Sequence, residues 1–286
     1  MTFTTFAQLQ AAVANSSKTW EERIAKSSLT TKAVGIWGDT WTSTGNPTAG
    51  VTPNSAAGAV TTNTTVGALN YSIVRNPDAA DNRYLLSFGV AGQGSSNPAV
   101  GVNLLVDRLV HSSNLSGTVA TAQTVGTPAL TRYTTGDGVM MALVCWTATG
   151  TTAANVTVTY TNQAGTASRT SPSIALWTGG WGGSTLGPVA GQLQFIPLQA
   201  GDSGVRSVQS VTLSASTLTA GSFGVILFKP LVTLFQPGYS SYFETDYAIQ
   251  TSSLPEIQDS ACLSAFVFAT SSIAAPLTGI IKTVEG

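Results

Sequence analysis

Along much of the chain, apolar and polar positions alternate with a period of two. In NVTVTYTN, Val156, Val158 and Tyr160 fall on one side of an extended backbone and Thr157, Thr159 and Thr161 on the other, as a half-buried strand requires. Asn162-Gln163-Ala164-Gly165 follows as a turn, with Gly165 able to take positive φ, and Pro172 closes the next segment because it donates no ladder hydrogen bond. SVQSVTLSAS alternates in the same way, setting Val208, Ser210, Thr212 and Ser214 against Gln209, Val211 and Leu213. GVILF and VMMALVCW are instead continuously apolar, the pattern of strands covered on both faces. VGVNLLVDRLV suits a strand or a helix, since Leu104, Val106, Leu109 and Val110 satisfy either period.

Short runs of this kind recur between turn signals: ALNYSIV, RYLLSFGVAG, ASRTSPSIALW, GQLQFIPLQA and LSAFVFATS. They predict an all-β fold, a β-sandwich or jelly-roll-like domain over 66–286, with room for two sub-sheets. The first 34 residues read differently. Phe6, Leu9 and Val13 follow helical spacing with Thr4 or Thr5 available as a cap, and in TWEERIAKS Trp20 and Ile24 stand four apart. Residues 1–34 are therefore expected to be a helical segment or arm. Residues 35–65, rich in Gly, Pro, Asn and Thr, read as loops pinned by Trp37 and Trp41.

Composition sharpens this picture. Charged residues make up 9% of the 286, against about 25% in an average soluble domain. The polar surface must come from Thr, Ser, Asn and Gln, or be covered by partners, because charge depletion marks the cores of protein interfaces. A net charge of −1 offers no positive field to nucleic acid or to an anionic membrane. The longest apolar stretch, GVILFKPLVTLF, is broken by Lys229 and Pro230 and falls short of the roughly 20 residues needed to span a bilayer. The opening residues lack the basic-then-apolar pattern of an export signal, so synthesis in the cytoplasm is the expectation.

Candidate chemistry is sparse. Cys145 and Cys262 are too few for a disulfide scaffold or a cysteine zinc site, and read as two buried thiols or a single bridge. His111 is the only histidine, so a histidine base must be this one. Gly201-Asp202-Ser203 matches the nucleophile block of GDS-type hydrolases only superficially, because the histidine comes earlier with the wrong acidic spacing; Asp202 reads as a turn residue. Asn76, Asp78, Asp81 and Asn82 gather oxygen ligands that suit Ca²⁺, or are turn-forming residues around Pro77 whose charge Arg75 and Arg83 neutralise. Trp177 and Trp181 in WTGGWGG form either an aromatic platform for sugars or an inward-packed corner. Sequons at Asn63, Asn114 and Asn155 are expected by chance in a chain this rich in Thr. No catalytic, cofactor or metal residue is assigned.

The stretches TPALTRYTTGDGVMMALVCW, VTVTYTNQAGTASRTSP and IPLQAGDSGVRSVQSVTLSAS resemble structural proteins of tailed bacteriophages, over roughly residues 70–230. The resemblance implies a virion component with a β-rich fold, no cofactor and self-assembling partners. Such proteins are made in the bacterial cytoplasm and meet the outside only after lysis, which suits a neutral, Thr-rich surface. The leading expectation is a non-enzymatic decoration or cement protein that bridges capsomers and binds the major capsid protein, as a homo-oligomer. A tail or neck adaptor, a fibre-base protein and a host-glycan-binding module are the alternatives. Interface residues are expected at Phe3, Phe6, Leu9, Val13 and Trp20 in the N-terminal segment, and at Trp177 and Trp181.

Overall fold

Strands dominate because β-branched and aromatic residues alternate with hydroxyl side chains, and turn residues interrupt them before any helix can propagate. The computed structural model describes residues 3–26, 35–70, 82–92, 101–177, 188–236, 242–247, 254–268 and 276–286. In chain order the elements are α1 (Phe6–Ala14), β1 (Thr19–Lys26), β2 (Trp37–Asp39), β3 (Gly45–Asn46), β4 (Ala59–Val60), β5 (Arg83–Gly92), β6 (Val102–His111), β7 (Gln123–Thr124), β8 (Met140–Thr147) and β9 (Asn155–Asn162). They continue as β10 (Arg169–Thr170), β11 (Ile174–Ala175), β12 (Gln192–Ile196), β13 (Val205–Leu213), β14 (Ser222–Phe235), β15 (Phe243–Asp246), β16 (Glu256–Ile257), β17 (Leu263–Phe268) and β18 (Leu277–Glu285). The chain is an all-β, sandwich-type fold with a short N-terminal helix, as the periodicity predicts.

At its centre is a closed antiparallel barrel. The order β14-β8-β12-β2-β17-β6 returns to β14, with β4 added at the end of β6. Closure depends on β14, whose 14 residues border β8 through Phe228 and β6 as far as Phe235. Closing the ring removes the unpaired edges that an open sheet would offer to other chains. Leu104, Val106, Ala142, Val144, Ile226, Phe228 and Phe266 fill the inside with Trp41 and Trp146. Their alternate neighbours point outward into two further cores.

On one side, Met141, Leu143, Val225 and Leu227 of the barrel wall meet Val156, Val158, Tyr160, Val208, Val211 and Leu213. The latter belong to a five-stranded sheet, β10-β9-β13-β7 with β11 beside β9. Val208, Val211 and Leu213 all face inward, although strict alternation sets Val208 against the other two. A register shift between Val208 and Ser210 places one extra residue in β13, and such a bulge re-aims the side chains beyond it. On the other side, Leu105, Leu263, Val267, Val232 and Leu234 meet Ile24, Phe88, Val90, Leu277 and Ile281. Those residues come from a six-stranded sheet, β15-β5-β18-β1-β3 with β16 beside β5.

Helix α1 lies on the far face of that sheet, where Leu9 and Ala12 pack with Tyr84, Leu86 and Val284. Its start is a capping box, in which Thr5 Oγ1 accepts from Gln8 N at 3.3 Å and Gln8 Oε1 from Thr5 N at 3.2 Å. The helical expectation fails after Asn15. TWEERIAK is β1, paired along its whole length with β18 from Thr19↔Val284 to Lys26↔Leu277. A spacing of four fits both periods, and the deciding residues are charged: Glu22 and Lys26 are buried on the same face as Ile24, while Glu21, Arg23 and Ala25 are exposed. The ambiguous VGVNLLVDRLV supplies β6, a central strand buried from Asn103 to His111.

Candidate functional site

Charge inside the protein is the feature from which any site must be built. Glu22, Lys26, Asp39, Arg83, Asp107, Arg108, Arg132 and Glu285 are buried, out of 12 basic and 13 acidic residues in the whole chain. Buried charges persist only when paired or well hydrogen-bonded. Consecutive residues of β6 divide this work between the two faces of the barrel wall. Arg108 points inward, where Nη1 donates to Asp39 Oδ2 at 2.7 Å and the guanidinium carbon sits 4.5 Å from the centre of the Trp41 ring and 5.9 Å from that of Trp146. Asp39 Oδ1 accepts from Trp41 N at 3.0 Å. Asp107 is held by Arg132 through Nε at 2.9 Å and Nη2 at 2.8 Å, and also accepts from Cys262 N at 2.9 Å. Arg132 Nη2 donates in addition to the carbonyls of Thr61 and Arg108, and Thr61 Oγ1 donates to the Arg108 carbonyl as well.

Elsewhere Arg83 pairs with Glu285 at 3.0 Å inside the six-stranded sheet. Lys26 Nζ donates to the carbonyls of Pro47 at 2.7 Å and Ser43 at 3.3 Å; burial lowers its pKa to about 8, against the opposing pull of Asp39.

The residues weighed for catalysis are committed to structure. His111 lies at the barrel mouth, edge-on to Trp41 at 5.1 Å and to Trp146 at 6.4 Å. Burial, reinforced by Arg108, pushes its pKa down to about 2, so it is neutral at physiological pH and a very weak base. It lines a cavity of about 450 Å³ with Val51, Pro53, Ala59, Thr65 and Val66. Asp202 accepts from Tyr160 Oη at 2.6 Å, Asn162 Nδ2 at 2.7 Å and Arg169 Nε at 3.0 Å. These donors, Arg169 first, hold its pKa at about 2, and it is the turn residue that the sequence suggests. Cys145 and Cys262 are buried thiols not joined in a disulfide, and burial raises the Cys262 pKa to about 12. Of the Asn76, Asp78, Asp81 and Asn82 group, only Asn82 lies within the described residues. Among those residues, no three His, Cys, Asp or Glu side chains gather as a metal site, and no helix is long and apolar enough to cross a membrane.

No family model matches the chain, and no curated protein matches it. Among solved structures it aligns with the "Structure of infectious bursal disease virus Gt strain" at 11% identity, covering 94% of this chain and 81% of that one, with a TM-score of 0.18. The "Crystal structure of infectious bursal disease virus VP2 subviral particle" aligns at 11% identity over 93% and 81% of the two chains, also with a TM-score of 0.18. At that score the backbones do not superpose.

The expected interface residues are distributed as follows. Phe3 is half-buried with its ring 5.4 Å from Tyr84, and Leu9 is buried under α1. Phe6 is 60% exposed and Val13 39%. Trp20 is half-buried, 5.9 Å from the Arg83 guanidinium carbon. Trp177 is half-buried at the rim of the five-stranded sheet, edge-on to Phe223 at 6.2 Å. Trp181 lies outside the described residues. The structure adds apolar side chains that pattern reading missed: Phe235, 67% exposed at the end of β14, and Tyr242 and Phe243 at β15. LVTLF reads as uniformly buried, and nothing in it marks where β14 outruns the cover of the sheets.

Proposed function

We propose that this chain is a non-enzymatic structural protein of a virus particle of the tailed-phage type, a decoration or cement protein that bridges capsomers on the head. The observation that supports this most is the inward placement of charge. Desolvating an exposed ion at a protein contact costs several kcal/mol unless a partner meets it. Here the outward face of the five-stranded sheet carries half-exposed Thr157, Thr159, Thr161, Ser207, Gln209, Ser210 and Thr212, while the half-exposed Arg206 and Arg169 of the same sheet are engaged by the Thr135 and Gln163 carbonyls and by Asp202. Such a face can be covered at little electrostatic cost. The exposed Phe6 and Val13 of α1, together with Phe235, Tyr242 and Phe243, supply the apolar anchors that an interface core needs. A subunit contacting two capsomers gains from effective concentration, and closed symmetry repeats each contact. Its partners are then the major capsid protein or other virion proteins and further copies of itself, with no part for nucleic acid, membrane or cofactor.

Quantitative densitometry of purified particles tests this. Head decoration predicts on the order of hundreds of copies per particle, whereas a neck, tail or fibre-base ring predicts about six to twelve. A chain missing from purified particles refutes both.

A further inference from the structure

We propose that the cavity between β2, β11 and β12 is a binding site for a neutral sugar of one or two pyranose rings. The cavity measures about 350 Å³, at the small end of the roughly 300–1,000 Å³ typical of ligand sites. Its walls include Trp37, Trp177, Phe195, Ile174, Gln192 and Gln194, and no charged side chain is among the described residues that line it. Trp37 and Phe195 lie with ring centres 5.0 Å apart and planes at 51°, so two aromatic surfaces meet at an angle.

The third aromatic is held in place by its backbone. Trp177 has φ of 56°, a left-handed conformation that bulky residues rarely adopt. Gln194 maintains it: Oε1 accepts from Trp177 N at 2.8 Å and Nε2 donates to Ala175 O at 2.6 Å, clamping the 175–177 turn onto β12. The indole is therefore positioned before any ligand arrives.

The unused hydrogen-bonding groups here are donors. Trp177 Nε1 is buried without an acceptor in the folded chain. Trp37 Nε1 and Gln192 Nε2 also find no acceptor among the described residues, Gln192 using only its Oε1, from Val189 N at 3.3 Å. A pyranose answers both features, since its C–H faces lie on aromatic rings and its ring and hydroxyl oxygens accept from N–H groups. An anionic sugar finds no cation among the described lining residues, and a hydrocarbon leaves the donors unmet. The site is independent of the virion reading and stands or falls separately.

The test is titration of the full-length protein with maltose, lactose and N,N′-diacetylchitobiose, followed by tryptophan fluorescence and calorimetry, with sialyllactose as the charged control. Saturable binding of at least one neutral disaccharide is expected, with none of sialyllactose. Ala175 lines the cavity yet is exposed, so Ala175→Trp blocks the mouth without entering the core; binding should vanish at an unchanged melting temperature. Trp37→Phe keeps a ring but removes an N–H, and at least a fivefold weakening is expected. Absence of saturation by all three neutral sugars overturns the proposal. So does binding that survives Ala175→Trp, or a crystal structure in which the chain itself fills the cavity.

Discussion

Acid should destabilise this protein in part through His111, and the size of that residue's effect can be worked out. His111 is neutral in the folded state, its pKa held at about 2 by burial and by Arg108, whereas an unfolded histidine titrates near 6.5. As pH falls below about 6.5 the unfolded chain takes up a proton that the folded chain refuses. Stability from this group is thus fully present above pH 6.5 and is lost steadily down to about pH 2. At 1.36 kcal/mol per pH unit, the loss is about 1.4 kcal/mol at pH 5.5 and about 3 kcal/mol at pH 4.5. The check is urea unfolding of the wild type and of His111→Phe from pH 7.5 to 4.5. Phenylalanine keeps an aromatic edge against Trp41, and Nδ1, which makes no hydrogen bond, forfeits none. All other titrating groups are common to both proteins, so the difference between the two pH profiles isolates the imidazole. The variant should lose about 3 kcal/mol less than the wild type over that range. Parallel profiles would show that His111 titrates in the folded protein much as it does in the unfolded one, and the reasoning would fail.

Three further outcomes are expected. Neither thiol should react with a disulfide reagent at pH 8 in the folded state and both should react in denaturant, because Cys145 and Cys262 are buried and burial raises the Cys262 pKa to about 12; rapid labelling of the native protein would contradict this. On α1, Leu9→Ala should cost about 2–5 kcal/mol in urea unfolding by opening a void over Tyr84 and Leu86. Phe6→Ser with Val13→Ser should leave the melting temperature unchanged and lower occupancy on particles; full occupancy would remove α1 from the proposed interface.

What could be read from the sequence was local. The strand β9 follows from Val156, Val158 and Tyr160 alternating with threonines, and the doubly buried β8 and first half of β14 from the apolar runs VMMALVCW and GVILF. Pairing was not legible. Nothing in TWEERIAK says that it lies beside the last strand, and burial of Glu22 and Lys26 inverts the rule by which charged positions are assigned to solvent. The barrel was equally hidden, since closure depends on how far β14 reaches along β6, a property of length and register that periodicity does not encode. Of the proposed sugar site, Trp177 stood out through the WTGGWGG stretch that it opens. Trp37 looked like a loop pin, and the alternation in Gln192-Leu193-Gln194-Phe195 identifies a strand without saying which face meets a cavity.

The lumen ion pair explains why a barrel would keep a charge that hydrophobic residues could replace. Strand β2 has three residues, Trp37, Gly38 and Asp39, and is the narrowest link in the ring, joining β12 to β17. Three residues specify register weakly, and a slip by one would turn the side chains of β2 to the opposite face. Asp39 makes that slip expensive, because only the observed register brings it to Arg108, with Nη1 to Oδ2 at 2.7 Å. Breaking the pair and replacing it should therefore have different consequences. Asp39→Asn leaves Arg108 charged and uncompensated among Trp41, Trp146 and Phe228, at a cost of about 3–5 kcal/mol. Asp39→Leu with Arg108→Met should recover most of that stability in urea unfolding while giving broadened or doubled amide resonances for β2 and its neighbours, as alternative registers become populated. A double variant as stable as the wild type with a single sharp set of resonances would show that packing alone sets the register.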